Sequence, residues 1–137
     1  MGLDNGIVLK AKEDIRVPDL LELEQTHFPY DLITTISAGR SEEICYWRKC
    51  YGIRNEIINI FGGETDSGSY ALTSEAASGI LDILNKYLDK DYYNEHHRSA
   101  WDFAEMGSLL IDYIEVLAWA KQLLEEDKIE LEFYDSY

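Results

Sequence analysis

Tyr46, Trp47, Arg48 and Lys49 stand side by side in a chain of 137 residues whose formal net charge is −15. Two aromatic rings beside two fixed positive charges are the parts of an anion-binding corner. The rings keep water away, and the guanidinium offers a planar fork to a carboxylate or phosphate. The surrounding stretch, ICYWRKCYGIRNEI from Ile44 to Ile57, adds Arg54. In an acidic chain this is the one place that would welcome negative charge. An arginine rising from an apolar surface also needs an acidic or carbonyl partner, because an unpaired desolvated charge costs on the order of several kcal/mol.

Other residues with chemical potential are less well placed. His96-His97, with Asp91 and Glu95 nearby, could hold a metal, but adjacent histidines on one element point apart. No HExxH or second histidine cluster supports them. His27 stands alone. Cys45 and Cys50 lie five residues apart, a spacing that puts them on different faces of a helix and suits buried free thiols. No Gly-x-Ser-x-Gly elbow is present, so nucleophilic catalysis has no support. The glycine-bearing GGETDSGSY lacks the Gly-Lys-Ser/Thr ending of a phosphate-binding loop. Carboxylates are too numerous for an acid/base pair to be singled out. The residues therefore imply no catalytic group, no metal and no cofactor.

The elements that must position these residues follow from periodicity. Gly6–Lys12 reads as a strand with Ile7, Leu9 and Ala11 on one face. Pro18 suits the opening of a short helix, and YDLITTIS (Tyr30–Ser37) is rich in strand formers. Ser41 is the expected N-cap of a helix that carries Tyr46–Lys49 and ends at Gly62-Gly63. Trp47 and Tyr51, one turn apart, should bury together, and Arg54 falls in the same stripe. Gly52 within that helix suggests a close backbone approach. Thr73 or Ser74 caps the next helix, whose stripe is Ala77, Ile80, Leu81, Leu84, Tyr87 and Leu88. Asp89–Ser99 reads as a loop. A long helix from about Ala100 to Asp127 buries Phe103, Met106, Leu110, Tyr113, Leu117, Ala120 and Leu124. In the closing strand Ile129, Leu131 and Phe133 alternate with charge. The expected class is α+β, a single domain over 1–137 with three main helices packed on a small antiparallel sheet that includes both terminal strands.

Composition bounds the function. The 46% apolar content is that of a globular chain, and no stretch approaches the roughly 18 apolar residues of a membrane span. No signal peptide is visible at the N-terminus, so the expected location is cytoplasmic. Residues 1–72 hold 12 acidic and 7 basic side chains, and residues 73–137 hold 15 and 5. This balance repels phosphate backbones, so direct nucleic-acid binding is not expected. Solvated helix faces account for the acids most simply; mimicry of a nucleic-acid backbone is a sharper alternative. The ten tyrosines and three tryptophans against four phenylalanines raise the possibility of a recognition surface from Tyr46, Trp47, Tyr51, Tyr92, Tyr93, Trp101, Tyr134 and Tyr137, against the simpler reading that they fill the core.

Three pieces together carry a resemblance: Met1-Gly2-Leu3-Asp4 at the start, Tyr46-Trp47-Arg48-Lys49, and the closing Phe133-Tyr134-Asp135-Ser136-Tyr137. In order and spacing they resemble a group of small uncharacterised proteins encoded by bacteriophages, prophages and bacteria. Those proteins open Met-Gly-Leu-Asp, carry a Tyr-Trp-Arg-Lys helix and end in a strand finishing Ser-Ser-Trp or similar. Asp135 and Tyr137 depart from that pattern. The resemblance implies a mobile-element origin and brings no catalytic residue. It ties Asp4 to the Tyr-Trp-Arg-Lys motif, so Asp4, or another acid near the terminal strands, is the expected partner of Arg48. The candidate ligand-binding residues are thus Asp4, Tyr46, Trp47, Arg48 and Lys49. The function expected is that of a small binding or accessory protein acting on an unidentified protein partner. The alternative is an enzyme or small-ligand domain with an anion pocket around Arg48 and Lys49.

Overall fold

Ile7, Leu9 and Ala11 alternate with more polar neighbours, and in the computed structural model they form the inward face of a central strand. Residues 4–17, 35–63 and 68–136 are described. In chain order the elements are β1 (Asp4–Ala11), β2 (Ile15–Arg16), β3 (Thr35–Ile36), β4 (Ser41–Arg48), α1 (Tyr51–Ile60), β5 (Gly68–Ala71), α2 (Ser74–Lys86), α3 (Lys90–His96), α4 (Phe103–Glu125) and β6 (Ile129–Ser136). The sheet order is β4-β1-β6-β5, antiparallel throughout, and β2 pairs with β3 in a separate two-stranded ribbon. The two terminal strands lie side by side, with Ile7 opposite Phe133 and Leu9 opposite Leu131. The class is α+β, with α1, α2 and α4 as the main helices. The expected helix at Pro18, His27, and the first part of YDLITTIS lie outside the described residues; Thr35–Ile36 of that stretch is β3.

One core joins the layers. Ile7, Leu9, Ile129, Leu131 and Phe133 from the sheet meet Ile57, Ile80, Leu84, Leu110, Leu117 and Ala120 from the helices, all essentially without solvent contact. Burial of such side chains contributes roughly 1.5–3 kcal/mol each. Thr73 caps α2 by accepting from the backbone N–H of Ala76. Asp102 and Glu105 form a reciprocal capping box at the start of α4.

Four expectations are corrected. Ser41–Arg48 is a strand, not the first half of a helix, and Ser41 is no N-cap. Its inward residues include Cys45 and Trp47, which pair with Ile7 and Asn5 of β1. Short apolar runs suit either period, and here the long-range partner strand decides. The helix begins only at Tyr51, which is exposed, so Trp47 and Tyr51 do not bury together. Asp89–Ser99 contains α3, capped by Asp89 through the Tyr92 N–H. The GGETDSGSY stretch supplies β5, whose Tyr70 sits opposite Phe133 and stacks on Phe61 at 4.7 Å.

Candidate functional site

Of the pieces of sequence that carried the resemblance, Met1–Leu3 and Tyr137 lie outside the described residues; Asp4, Tyr46–Arg48 and Phe133–Ser136 converge at one end of the sheet. In register, Asp4 lies between Arg48 of β4 and Ser136 of β6. Because strand side chains alternate, this end presents two different faces.

On the face away from the core, the Tyr46 hydroxyl donates to Asp4 Oδ1 at 2.8 Å. Tyr134 donates to Glu43 Oε2, its ring lying over Gly6. A Cβ at Gly6 would stand 2.6 Å from Tyr134 Cε1 and 2.8 Å from the Cys45 carbonyl oxygen. The hydrogen bond to Asp4, reinforced by partial burial, pushes the Tyr46 phenol above its ordinary range. Burial and Glu43 do the same to Tyr134. Both phenols therefore stay protonated and act as donors. Asp4 is thus engaged by Tyr46, and the expected Arg48–Asp4 ion pair is absent among the described residues. Arg48 is exposed. Lys49, also exposed, turns the chain from β4 into α1 with φ 54°.

On the inward face the buried arginine is Arg54, not Arg48. Its Nε and Nη2 donate to Asp135 Oδ1 at 3.0 Å and Oδ2 at 2.6 Å, and Nη1 donates to Asn55 Oδ1. The Asn5 amide donates to the same Asp135 Oδ1 at 2.5 Å. Arg54, Asp135 and Asn5 are all buried. A signal for this was present. Arg54 falls in an apolar helical stripe, and Asp135 continues the inward alternation of Ile129, Leu131 and Phe133. Two opposite charges at buried positions have strong reason to meet.

Between β4 and α4 lies an open cleft of about 330 Å³. It is lined by Tyr46, Trp47, Arg48 and Cys50 on one side and by Trp101, Glu105, Met106, Leu109 and Tyr113 on the other. Trp47 is buried at its base, edge-on to Tyr113 with ring centroids 5.3 Å apart. The Tyr113 hydroxyl donates to the Tyr46 carbonyl at 2.8 Å, joining helix to strand. Tyr46 and Trp101 are 38% and 45% exposed. The Trp101 backbone is held by the Tyr93 hydroxyl, which donates to its carbonyl at 2.6 Å. Three of the five expected site residues, Tyr46, Trp47 and Arg48, thus line one concavity. Asp4 is tied to its edge through Tyr46, and Lys49 is not part of its wall. Met106 and Leu109 were not singled out as site residues, because Met106 lies on the α4 core stripe; Trp101 was named only as one of the aromatics of a possible recognition surface, and it precedes α4 rather than lying within the expected helix.

The other groups with chemical potential are engaged within the fold. His96 and His97 direct Nδ1 to the carbonyls of Tyr92 and Tyr93 and stack on the same two tyrosine rings. Glu56 loses some stability as an anion through desolvation. Bonds from Lys86, Tyr87 and Tyr92 outweigh this and hold its carboxyl below the usual range. Cys45 and Cys50 are free and buried, although Cys45 is on a strand and Cys50 precedes α1, so helical spacing is not the reason. Burial raises the Cys45 thiol well above its ordinary value and pushes Cys50 up to about 11. Intact mass under native conditions should show no two-hydrogen deficit. Iodoacetamide at pH 8 should leave both thiols unmodified until the chain is unfolded, because the thiolate is the nucleophile. A native disulfide or rapid labelling of either cysteine would contradict this. No helix among the described residues is long and apolar enough to cross a membrane.

No family model, no curated protein and no solved structure matches this chain.

Proposed function

We propose that this chain is a small binding or accessory protein, of mobile-element origin, that works by contact with another protein and receives an apolar side chain of that partner in the β4–α4 cleft. One observation carries this reading: the half-exposed Trp101 lines a single apolar concavity together with Trp47, Met106 and Leu109. Aromatic residues at the edge of a desolvated pocket are the side chains that most often dominate protein–protein affinity. The anion-pocket reading has less support. Lys49 does not line the cleft, and Glu105 stands with Arg48 among its polar groups. Nucleic-acid mimicry needs an uninterrupted acidic surface, whereas Lys12, Lys86, Lys121 and Lys128 each pair with a carboxylate.

The test is affinity capture from native host cells, followed by titration of the purified partner. Trp101→Ala and Leu109→Lys should weaken binding at least about tenfold, the effect of losing one modest hot spot. Their melting temperatures should stay within a few degrees of the parent. Arg48→Ala should change stability by less than about 0.5 kcal/mol, as expected of an exposed side chain. Undiminished partner binding by both cleft variants would remove the cleft from the interface.

A further inference from the structure

We propose that the apolar side chain received by the cleft comes with a neutral hydrogen-bond acceptor, the backbone carbonyl beside it, and that the Trp47 indole N–H is the donor that meets it. This inference rests on the cleft being the binding site. Trp47 lines the cleft, is 2% exposed, and its Nε1 has no acceptor among the described residues. A buried donor without a partner costs about 1–3 kcal/mol. Phenylalanine at the same position would keep the aromatic packing and avoid that cost. Indole N–H groups in cores normally find an acceptor, and an occupant of the cleft would bring one to Trp47.

The chemistry around Trp47 narrows what that partner is. The Tyr113 hydroxyl is directed to the Tyr46 carbonyl, and the Cys50 thiol to the Arg48 carbonyl at 3.4 Å. Among the charged residues of the wall, Arg48 and Glu105 oppose each other in sign, and Glu105 is already occupied in the α4 cap. The concavity therefore carries no net charge, and a neutral occupant suits it better than an anion or a cation. Its volume is at the small end of ligand sites, room for one leucine- or phenylalanine-sized group. Met106 is unbranched and adaptable, and Trp101 is half exposed, so the wall can adjust to let an acceptor reach the indole. A protein side chain next to its own carbonyl supplies the apolar body and the acceptor together.

The experiment compares two probes, ethylbenzene and acetophenone, which share a ring and a two-carbon chain and differ by a carbonyl. Indole N–H resonances of the ¹⁵N-labelled protein report on Trp47, Trp101 and Trp119, with Trp47→Phe providing the assignment. Both probes should perturb the Met106 and Leu109 methyl groups. Acetophenone alone should move the Trp47 N–H resonance downfield, a reading on the unmutated protein that does not depend on the variant folding. Trp47→Phe should weaken acetophenone by about three- to tenfold, the worth of one hydrogen bond, and ethylbenzene by less than about twofold. If both probes bind and the Trp47 resonance responds alike to each, the acceptor role is overturned while the cleft stands. If neither probe perturbs Met106 or Leu109, the cleft reading fails and this inference falls with it.

Discussion

Asp135→Asn should lower the melting temperature by about 10–15 °C. The carboxylate takes a two-pronged bond from Arg54 and a third from the Asn5 amide, in a place that water does not reach. Removing one partner of a buried ion pair costs about 3–5 kcal/mol, because the remaining charge stays desolvated. In a domain of this size each kcal/mol moves the midpoint by roughly 3–4 °C. Arg54→Met should be damaging for the same reason. The double variant Arg54→Met, Asp135→Leu should recover part of the loss, since replacing both charges by apolar groups removes their desolvation penalty, while the buried Asn5 amide loses its acceptor. Thermal unfolding of the four proteins checks this. A shift under about 3 °C for Asp135→Asn would show that water reaches the pair. This pair joins α1 to β6, and the Asn5 amide ties β1 to the same carboxylate. It thereby holds together the end of the sheet where Asp4, Tyr46 and Tyr134 are placed.

Gly52→Ala should cost about 3 kcal/mol, the upper part of the range for forcing an atom into packed space. Gly52 sits in the first turn of α1, and its N–H donates to the His97 carbonyl at 3.0 Å. A Cβ there would overlap the carbonyl oxygen of His96 and come within 2.7 Å of that of His97. These are backbone atoms, so relief requires moving the end of α3 as a whole. Gly79→Ala is the internal control. Its Cβ would meet only the flexible Ile60 Cδ1, at 3.0 Å, and alanine is favoured over glycine inside a helix by about 1 kcal/mol. Denaturant unfolding should therefore show Gly52→Ala strongly destabilised and Gly79→Ala near the parent. Equal midpoints for the two would mean that the α1–α3 contact yields.

Much of the frame was legible along the chain. The alternation of Ile7, Leu9 and Ala11, and of Ile129, Leu131 and Phe133, identified the two terminal strands and their buried faces. The stripe from Met106 to Ala120 identified α4, and of the two caps offered for its neighbour, Thr73 and Ser74, the structure uses Thr73. Gly52 within an apolar helical run pointed to a close backbone approach, and the structure supplies the backbone. These are local signals: a repeat of two or of three to four residues, a cap, a glycine where a side chain has no room. What the chain could not reveal depended on partners far away in sequence. Ser41–Arg48 carries residues compatible with either period, and only pairing with β1 makes it a strand. That one difference turned Trp47 toward α4, left Tyr51 and Arg48 exposed, and gave Asp4 to Tyr46 instead of Arg48. The cleft between β4 and α4 is a product of the same packing. Trp47 and Trp101 lie 54 positions apart in sequence and line one concavity, because tertiary burial, a cooperative property of the whole core, decides which face of an ambiguous segment turns inward.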